Sequence, residues 1–290
     1  VATNQQRREA AKRKLERQLT RRAERAKRRK IIGVGVTIVV VGLVAGLVVF
    51  LVTRDREDVA QPEASETAPT PAPIQIPTER APEPKRPQAL PDPVSCEYPA
   101  EEGKPSAKPV NAPPAGQVSS NGTVNVTMKS TAGDIPLTLN KALAPCTVNS
   151  FVSLINQGYY VDTECHRLGT EGLQMLQCGD PQATGMGGPG YTFDDEVFPE
   201  LSYGRGILAM ANAGKDPATG KGTNGSQFFM VYGDAQLPPN YTVFGTIGDP
   251  GLQVLDKVAR DGIDPESAAT SQDGTGKPKT PVKFTATTVG

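Results

Sequence analysis

The sequence has no tryptophan, one histidine and only four cysteines in 290 residues. Aromatic residues make up 5% of the chain, against 30 glycines and 27 prolines. That balance argues against a helical bundle and for loop-rich all-β structure joined to a spacer. A zinc centre finds little support, because no CxxC pair occurs and the single histidine, His166, adjoins Arg167. No obvious pairing of nucleophile and general base is present, and nothing implies a metal or an organic cofactor. Net charge is zero, but this hides two unlike parts. Residues 1–30 carry 13 Lys/Arg against three Glu, which leaves the remainder acidic, with 18 basic residues against 28 acidic.

The basic segment 1–30 has good helix propensity but few apolar residues with which to join a core. No base-reading module or interleaved aromatics accompany it, so a membrane surface is favoured over nucleic acid as its partner. Residues 31–53 contain no charged side chain and are long enough to cross a bilayer as a helix. A cleaved secretory signal is disfavoured, because the apolar run is too long and Arg54-Asp55-Arg56 comes next without a small-residue cleavage site. The basic excess before the span places the N-terminus in the cytoplasm and the bulk of the chain outside it. Residues 54–120, rich in Pro, Glu, Ala and Thr, are expected as a disordered, extended linker. Within it, residues 94–109, with Cys96 and Tyr98, are placed to pack on the C-terminal part of the chain.

From residue 121 the pattern becomes that of a domain. Val124, Val126 and Met128 alternate with polar residues, as do Ile135, Leu137 and Leu139, with a turn expected at Gly133-Asp134: a β-hairpin. A helix is expected from Pro145, with Phe151, Leu154 and Ile155 on one face and Gly158 at its end. Short strands are expected near 164–168, 173–178, 206–212, 227–232 and 242–247, then a helix at 252–260 and a last strand at 281–289. Many short strands and two helices argue a closed barrel whose ends the helices cover.

All four cysteines fall on the extracytoplasmic side, where disulfides persist. Cys165 and Cys178 face each other if their strands pair around residues 169–172. A Cys96–Cys146 bond staples the linker to the first helix. Four free thiols remain the alternative.

Three separated motifs stand out: CHRLGTEGLQMLQCGD at 165–180, MANAG at 210–214 and GSQFFM at 225–230. In this order they resemble the active-site face of the cyclophilins, with the anchor, linker and cysteines similar to the membrane-attached cyclophilins of actinobacteria. The resemblance covers roughly residues 123–290. It implies an eight-stranded antiparallel barrel with two capping helices and peptidyl-prolyl cis–trans isomerase activity on extracytoplasmic proteins. It places Arg167 and Gln177 in the catalytic role and Phe229, Met175 and Leu237 around a proline pocket. Asn212 corresponds to the asparagine whose main chain pairs with bound peptide, and Ala211, Ala213 and Gly225 to small positions in an adjacent groove. His166 is assigned a structural role, since bond rotation transfers no proton.

The chain departs from the family pattern in three places. The connection between Arg167 and Gln177 is two residues longer, so either Leu173 or Gln174 replaces a wall aromatic. Gln236 stands where many members carry a tryptophan, and Tyr241 where they carry a histidine. Weak cyclosporin binding with retained activity is therefore expected. The alternative reading is a module that binds proline-containing peptides, or chaperones them, with little turnover.

Overall fold

Alternation of apolar and polar side chains builds the first hairpin of the computed structural model, which describes residues 74–271 and 273–290. Strand β3 (Thr123–Ser130) buries Val126 and Met128, and β4 (Gly133–Asn140) buries Ile135, Leu137 and Leu139. The two pair in antiparallel register from Thr123↔Asn140 to Ser130↔Gly133. The turn is therefore Thr131-Ala132, two residues ahead of its expected place. Gly133 opens β4 at a φ of +133°, a region glycine enters without steric penalty, and a Cβ there meets the Val254 side chain at 2.7 Å.

The remaining strands are β1 (Val94–Cys96), β2 (Gly116–Val118), β5 (Arg167–Gly169), β6 (Leu173–Cys178), β7 (Ile207–Met210), β8 (Phe228–Ala235), β9 (Val243–Ile247), β10 (Thr275–Gly276) and β11 (Phe284–Val289). Of the eleven strands among the described residues, nine form one curled antiparallel sheet in the order β10-β5-β6-β8-β7-β9-β4-β3-β11, while β1 and β2 pair apart. The fold is mostly β with few helices. The strand count corrects the expected eight: the two-residue β10 joins the edge beside β5. Backbone hydrogen bonds also join the segment ahead of β5 to the start of β11. Asp162 and Cys165, just ahead of β5, donate to Phe284 and Val282 at 2.8 and 2.9 Å, and Phe284 donates to Thr163 at 2.9 Å.

Helix α1 (Pro145–Asn156) buries Val148, Phe151, Leu154 and Ile155 against the sheet. Proline at its start removes a donor that has no intrahelical partner. The next donors are met by the Glu196 carboxylate, which accepts from the Cys146 and Thr147 amides at 3.0 and 2.8 Å and from the Thr147 hydroxyl at 2.7 Å. An anion at a helix N-terminus also complements the helix dipole. Helix α2 (Asp249–Asp261) buries Leu252, Leu255, Val258 and Ala259, as its spacing implied, and ends at Gly262 with φ +85°. A third helix was not expected: α3 (Pro265–Thr270) has six residues, none buried. Phe151, Tyr160, Phe228, Phe244 and Phe284 meet in the core, with neighbouring ring centroids 5.1 to 6.2 Å apart.

Of the expected linker, the packing of residues 94–109 on the domain holds, whereas disorder does not. From residue 74 onward it is a belt ordered against the sheet. Cys96 is bonded to Cys146, and Cys165 to Cys178. The buried Tyr98 donates to the Cys146 carbonyl at 2.8 Å and packs edge-on against Tyr191 and Phe193. Arg86 donates to the Leu143 and Glu196 carbonyls and lies 4.9 Å from the Phe198 ring centre. The Lys108 ammonium donates to three carbonyls, those of Gly158, Tyr159 and Val161. Apolar area alone does not offset the chain entropy of so Pro- and Glu-rich a segment. Here a cross-link and long cationic side chains reaching backbone carbonyls supply the ordering. The basic segment 1–30, the expected transmembrane helix 31–53 and linker residues 54–73 lie outside the described residues. Among the described residues no helix is long and apolar enough to cross a membrane.

Candidate active site

Strand register places the main polar residues in one row. Arg167 on β5 pairs with Gln177 on β6, and Gln177 pairs with Phe229 on β8. Side chains two apart on a strand share a face, so Leu173, Met175 and Gln177 point the same way from β6. They line a cavity of about 120 Å3 together with Arg167, Ala211, Asn212, Phe229, Leu237 and Tyr241. Phe229 is its buried ring; Tyr241 meets it edge-on with centroids 5.7 Å apart.

The Arg167 guanidinium is held on all three nitrogens. Nε donates to Thr275 Oγ1 at 2.9 Å, Nη1 to Gln177 Oε1 at 3.2 Å and Nη2 to Asp273 Oδ2 at 2.7 Å. Of its five N–H groups, one on each Nη has no partner among the described residues. Hydrogen bonds from Thr275 and Ser271, with a further contribution from Arg167, hold the Asp273 carboxyl well below the usual range, so it is ionised at neutral pH. Gln177 accepts from Arg167 through Oε1 and is bonded on its amide nitrogen as well. Its Nε2 donates to Gln227 Oε1 at 2.9 Å, and Gln227 Nε2 donates to the Gly185 and Gly187 carbonyls. A chain of oriented amides thus runs from the arginine to the glycine-rich loop.

Most expected site residues converge here: Arg167, Gln177, Met175, Ala211, Asn212, Phe229, Leu237 and Tyr241. Ala213 and Gly225 do not line this cavity. Ala213 donates to Thr223 Oγ1, and a Cβ on Gly225 contacts Pro189 at 3.1 Å. Asn212 turns its amide inward, donating to Asp195 Oδ1 and the Asn240 carbonyl. Leu173, not Gln174, takes the wall position, because Gln174 faces away and bonds to Gln75 O and the Asp234 amide. The exposed Gln236 is not part of the lining either. His166 lies off the cavity, beside Gly185, and among the described residues neither ring nitrogen has a hydrogen-bond partner. Burial lowers its pKa, opposed by Asp180 and reinforced by Arg167, so the ring is neutral at pH 7.

Sequence reasoning missed Gln227, although it sits inside the GSQFFM motif, and it missed Asp273, Thr275 and Tyr203. The Tyr203 hydroxyl donates to the Tyr241 carbonyl and accepts from its amide, bracing that wall, while burial pushes its pKa up to about 12. Nothing in the local pattern marks these three residues.

A larger cavity of about 460 Å3 opens between the belt and residues 192–197 and 221–222. Its carboxylates already have internal partners: Asp194 accepts from the Gly222 amide, Asp195 from Asn224, and Glu196 caps α1. Among the described residues, no three His, Cys, Asp or Glu side chains cluster so as to hold a metal ion.

A fixed guanidinium thus stands beside an apolar slot on one face of a curled antiparallel sheet. The family model for the cyclophilin type peptidyl-prolyl cis-trans isomerases matches residues 123–289, and the chain belongs to that family. It is 51% identical over 184 residues to the "Probable peptidyl-prolyl cis-trans isomerase B" of Mycobacterium leprae, covering 59% of this chain and 60% of that one. Identity to the protein of the same name from Mycobacterium tuberculosis is 47% over 207 residues, covering 67% of this chain and 63% of that one. The chain thus spans less than two thirds of the length of these relatives. A crystal structure of a Cryptosporidium parvum cyclophilin type isomerase is 32% identical, with a TM-score of 0.48, covering 58% of this chain and 98% of that one.

Proposed function

We propose that this chain is a peptidyl-prolyl cis–trans isomerase that accelerates rotation about X–Pro bonds in extracytoplasmic proteins and so assists their folding. The observation that carries this reading is the shared cleft: the Arg167 head group and the Phe229 ring line the same cavity of about 120 Å3. Amide resonance sets a rotation barrier of roughly 18–20 kcal/mol. X–Pro bonds therefore exchange over tens to hundreds of seconds. Reaching milliseconds removes about five decades, or roughly 7 kcal/mol. The Phe229, Met175, Leu173 and Leu237 side chains hold the proline ring by apolar contact while the rest of the peptide turns. As the amide twists, the prolyl nitrogen recovers its lone pair. A guanidinium N–H aimed at it is then better bonded than in the planar ground state, which is differential transition-state stabilisation. The internal hydrogen bonds of Arg167 pre-orient that donor.

On this reading the hydrogen bonds between residues 162–165 and 282–284 close the sheet into a barrel that keeps the cleft rigid. Residues 31–53 anchor the protein in the membrane with a cytoplasmic N-terminus, and the site faces proline-containing clients outside. Cyclosporin binds weakly, since Gln236 and Tyr241 replace the tryptophan and histidine of many members; nanomolar inhibition of the purified protein would refute this. Leu173 in place of a wall aromatic favours the second reading, a peptide-binding or chaperone module with slow turnover. Exchange spectroscopy on an Ala-Pro tetrapeptide separates the two. Isomerase function requires acceleration at substoichiometric protein, whereas binding without acceleration leaves only the module.

A further inference from the structure

We propose that Asp273 and Thr275 form a positioning pair that sets the plane of the Arg167 guanidinium for the reaction; the inference rests on the isomerase reading of the same site. A guanidinium is a flat fork on a flexible stem. One contact, from Gln177, leaves the fork free to swing about its last bonds. Three contacts to three separate partners define its plane, and two of the three come from residues beyond α3, 106 and 108 positions away in sequence.

Asp273 and Thr275 are also bonded to each other, apart from the arginine. Asp273 Oδ1 accepts from the Thr275 amide at 3.1 Å, the Thr275 hydroxyl at 2.7 Å and the Ser271 hydroxyl at 2.8 Å. That leaves Oδ2 for Arg167 Nη2 and the Thr275 oxygen for Nε. The Asp273 side chain is 56% exposed, so the ion pair adds little to stability. The consequence is geometric: Asp273 takes one N–H of Nη2 and Thr275 the single N–H of Nε, and with Gln177 on Nη1 one N–H on each Nη is left for the substrate. The carboxylate also weakens the local positive field. Water screens that effect at a half-exposed site, so orientation outweighs it.

The test compares Asp273→Ala, Asp273→Asn and Thr275→Val with wild type in kcat/KM, peptide Kd and melting temperature. Misplacing a reacting group by about 1 Å costs on the order of a hundredfold. Asp273→Ala is therefore expected to lower kcat/KM at least about tenfold, with Kd within about twofold and the melting temperature nearly unchanged. Asp273→Asn, which keeps an acceptor oxygen, is expected to recover most of the rate. Unchanged activity in Asp273→Ala, or equal effects of Ala and Asn, would overturn the proposal. A second readout needs no catalysis: the Arg167 Nε–H signal, followed by proton–nitrogen NMR. It is expected to exchange slowly with solvent in wild type and fast in Asp273→Ala and Thr275→Val. If wild type itself fails to accelerate rotation, the isomerase reading falls, and the Arg167 signal still decides whether the pair fixes the guanidinium.

Discussion

Replacing Cys96 and Cys146 together by alanine removes the covalent tie between the belt and helix α1, and its effect can be worked from chain separation. The bond closes a loop of 50 residues, whereas Cys165–Cys178 closes one of 13. Loop-closure entropy in the unfolded chain then gives roughly 4 kcal/mol for the first bond and roughly 3 kcal/mol for the second. At about 2–4 °C per kcal/mol for a protein of this size, the first corresponds to about 8–16 °C in Tm. The two bonds also differ in what their loss releases. Without its bond the belt is held by hydrogen bonds such as those of Arg80, Arg86 and Lys108, so it can peel away while the sheet stays folded. Cys165 and Cys178 flank the pair Arg167 and Gln177, so their loss loosens the site strands. With no tryptophan as a reporter, unfolding in urea is best followed by circular dichroism. Amide exchange of residues 94–118 resolves the belt separately. Cys96→Ala/Cys146→Ala is expected to lose more global stability than Cys165→Ala/Cys178→Ala, yet less activity. A loss below about 1 kcal/mol for the first pair, or the reverse order, contradicts the entropic account.

Acid should open the glycine-rich loop. Burial alone pushes the Asp180 carboxyl up, but donors from Gln182 and Thr184 outweigh it and leave its pKa below the usual value. A depressed folded value means the stabilisation is complete above the unfolded pKa of about 3.9 and is lost as pH falls through the folded value. Amide protection of residues 182–187 is expected to fall below about pH 4. The Asp180→Asn variant should lack this step; a wild-type loop that gains protection on acidification contradicts the sign. Gln227→Ala is expected to lower kcat/KM about tenfold by freeing Gln177. Gln227→Glu should unfold more easily than the alanine variant, because a carboxylate then faces the Gly185 and Gly187 carbonyls; the opposite order refutes the assigned amide orientation. Arg205 and Asp256 form a buried two-pronged pair at 2.6 and 2.8 Å. Arg205→Met should cost about 3–5 kcal/mol by stranding the carboxylate, and a loss under about 1 kcal/mol in urea unfolding argues against that burial cost.

Legibility in the sequence tracked the range of the interaction. The β3–β4 hairpin and both longer helices were readable because a repeat of two or of about 3.6 residues records which face is buried. Arg167, Gln177 and Phe229 were readable as a set through the family motifs. Strand register then explains why these three stand in a row. The belt was readable only at residues 94–109, through Cys96 and Tyr98; elsewhere its anchors are single side chains such as Arg86, which reaches carbonyls 57 and 110 residues away and repeats with no period. Asp273 and Thr275 escaped for the same reason. The choice between Leu173 and Gln174 stayed open until the strand's facing was known: Leu173 shares the face of Met175 and Gln177, while Gln174 turns to Gln75 and Asp234.

The most direct test of the central claim is the isomerisation rate of an Ala-Pro tetrapeptide with wild type and with Arg167→Ala at equal concentration. Removing one pre-oriented donor typically lowers a rate about a hundredfold or more. A charged fork beside an apolar slot therefore predicts fast turnover in wild type and a loss of that size in the variant, with peptide still bound. An Arg167→Ala protein that turns over at the wild-type rate would show that the twisted bond is stabilised by something else.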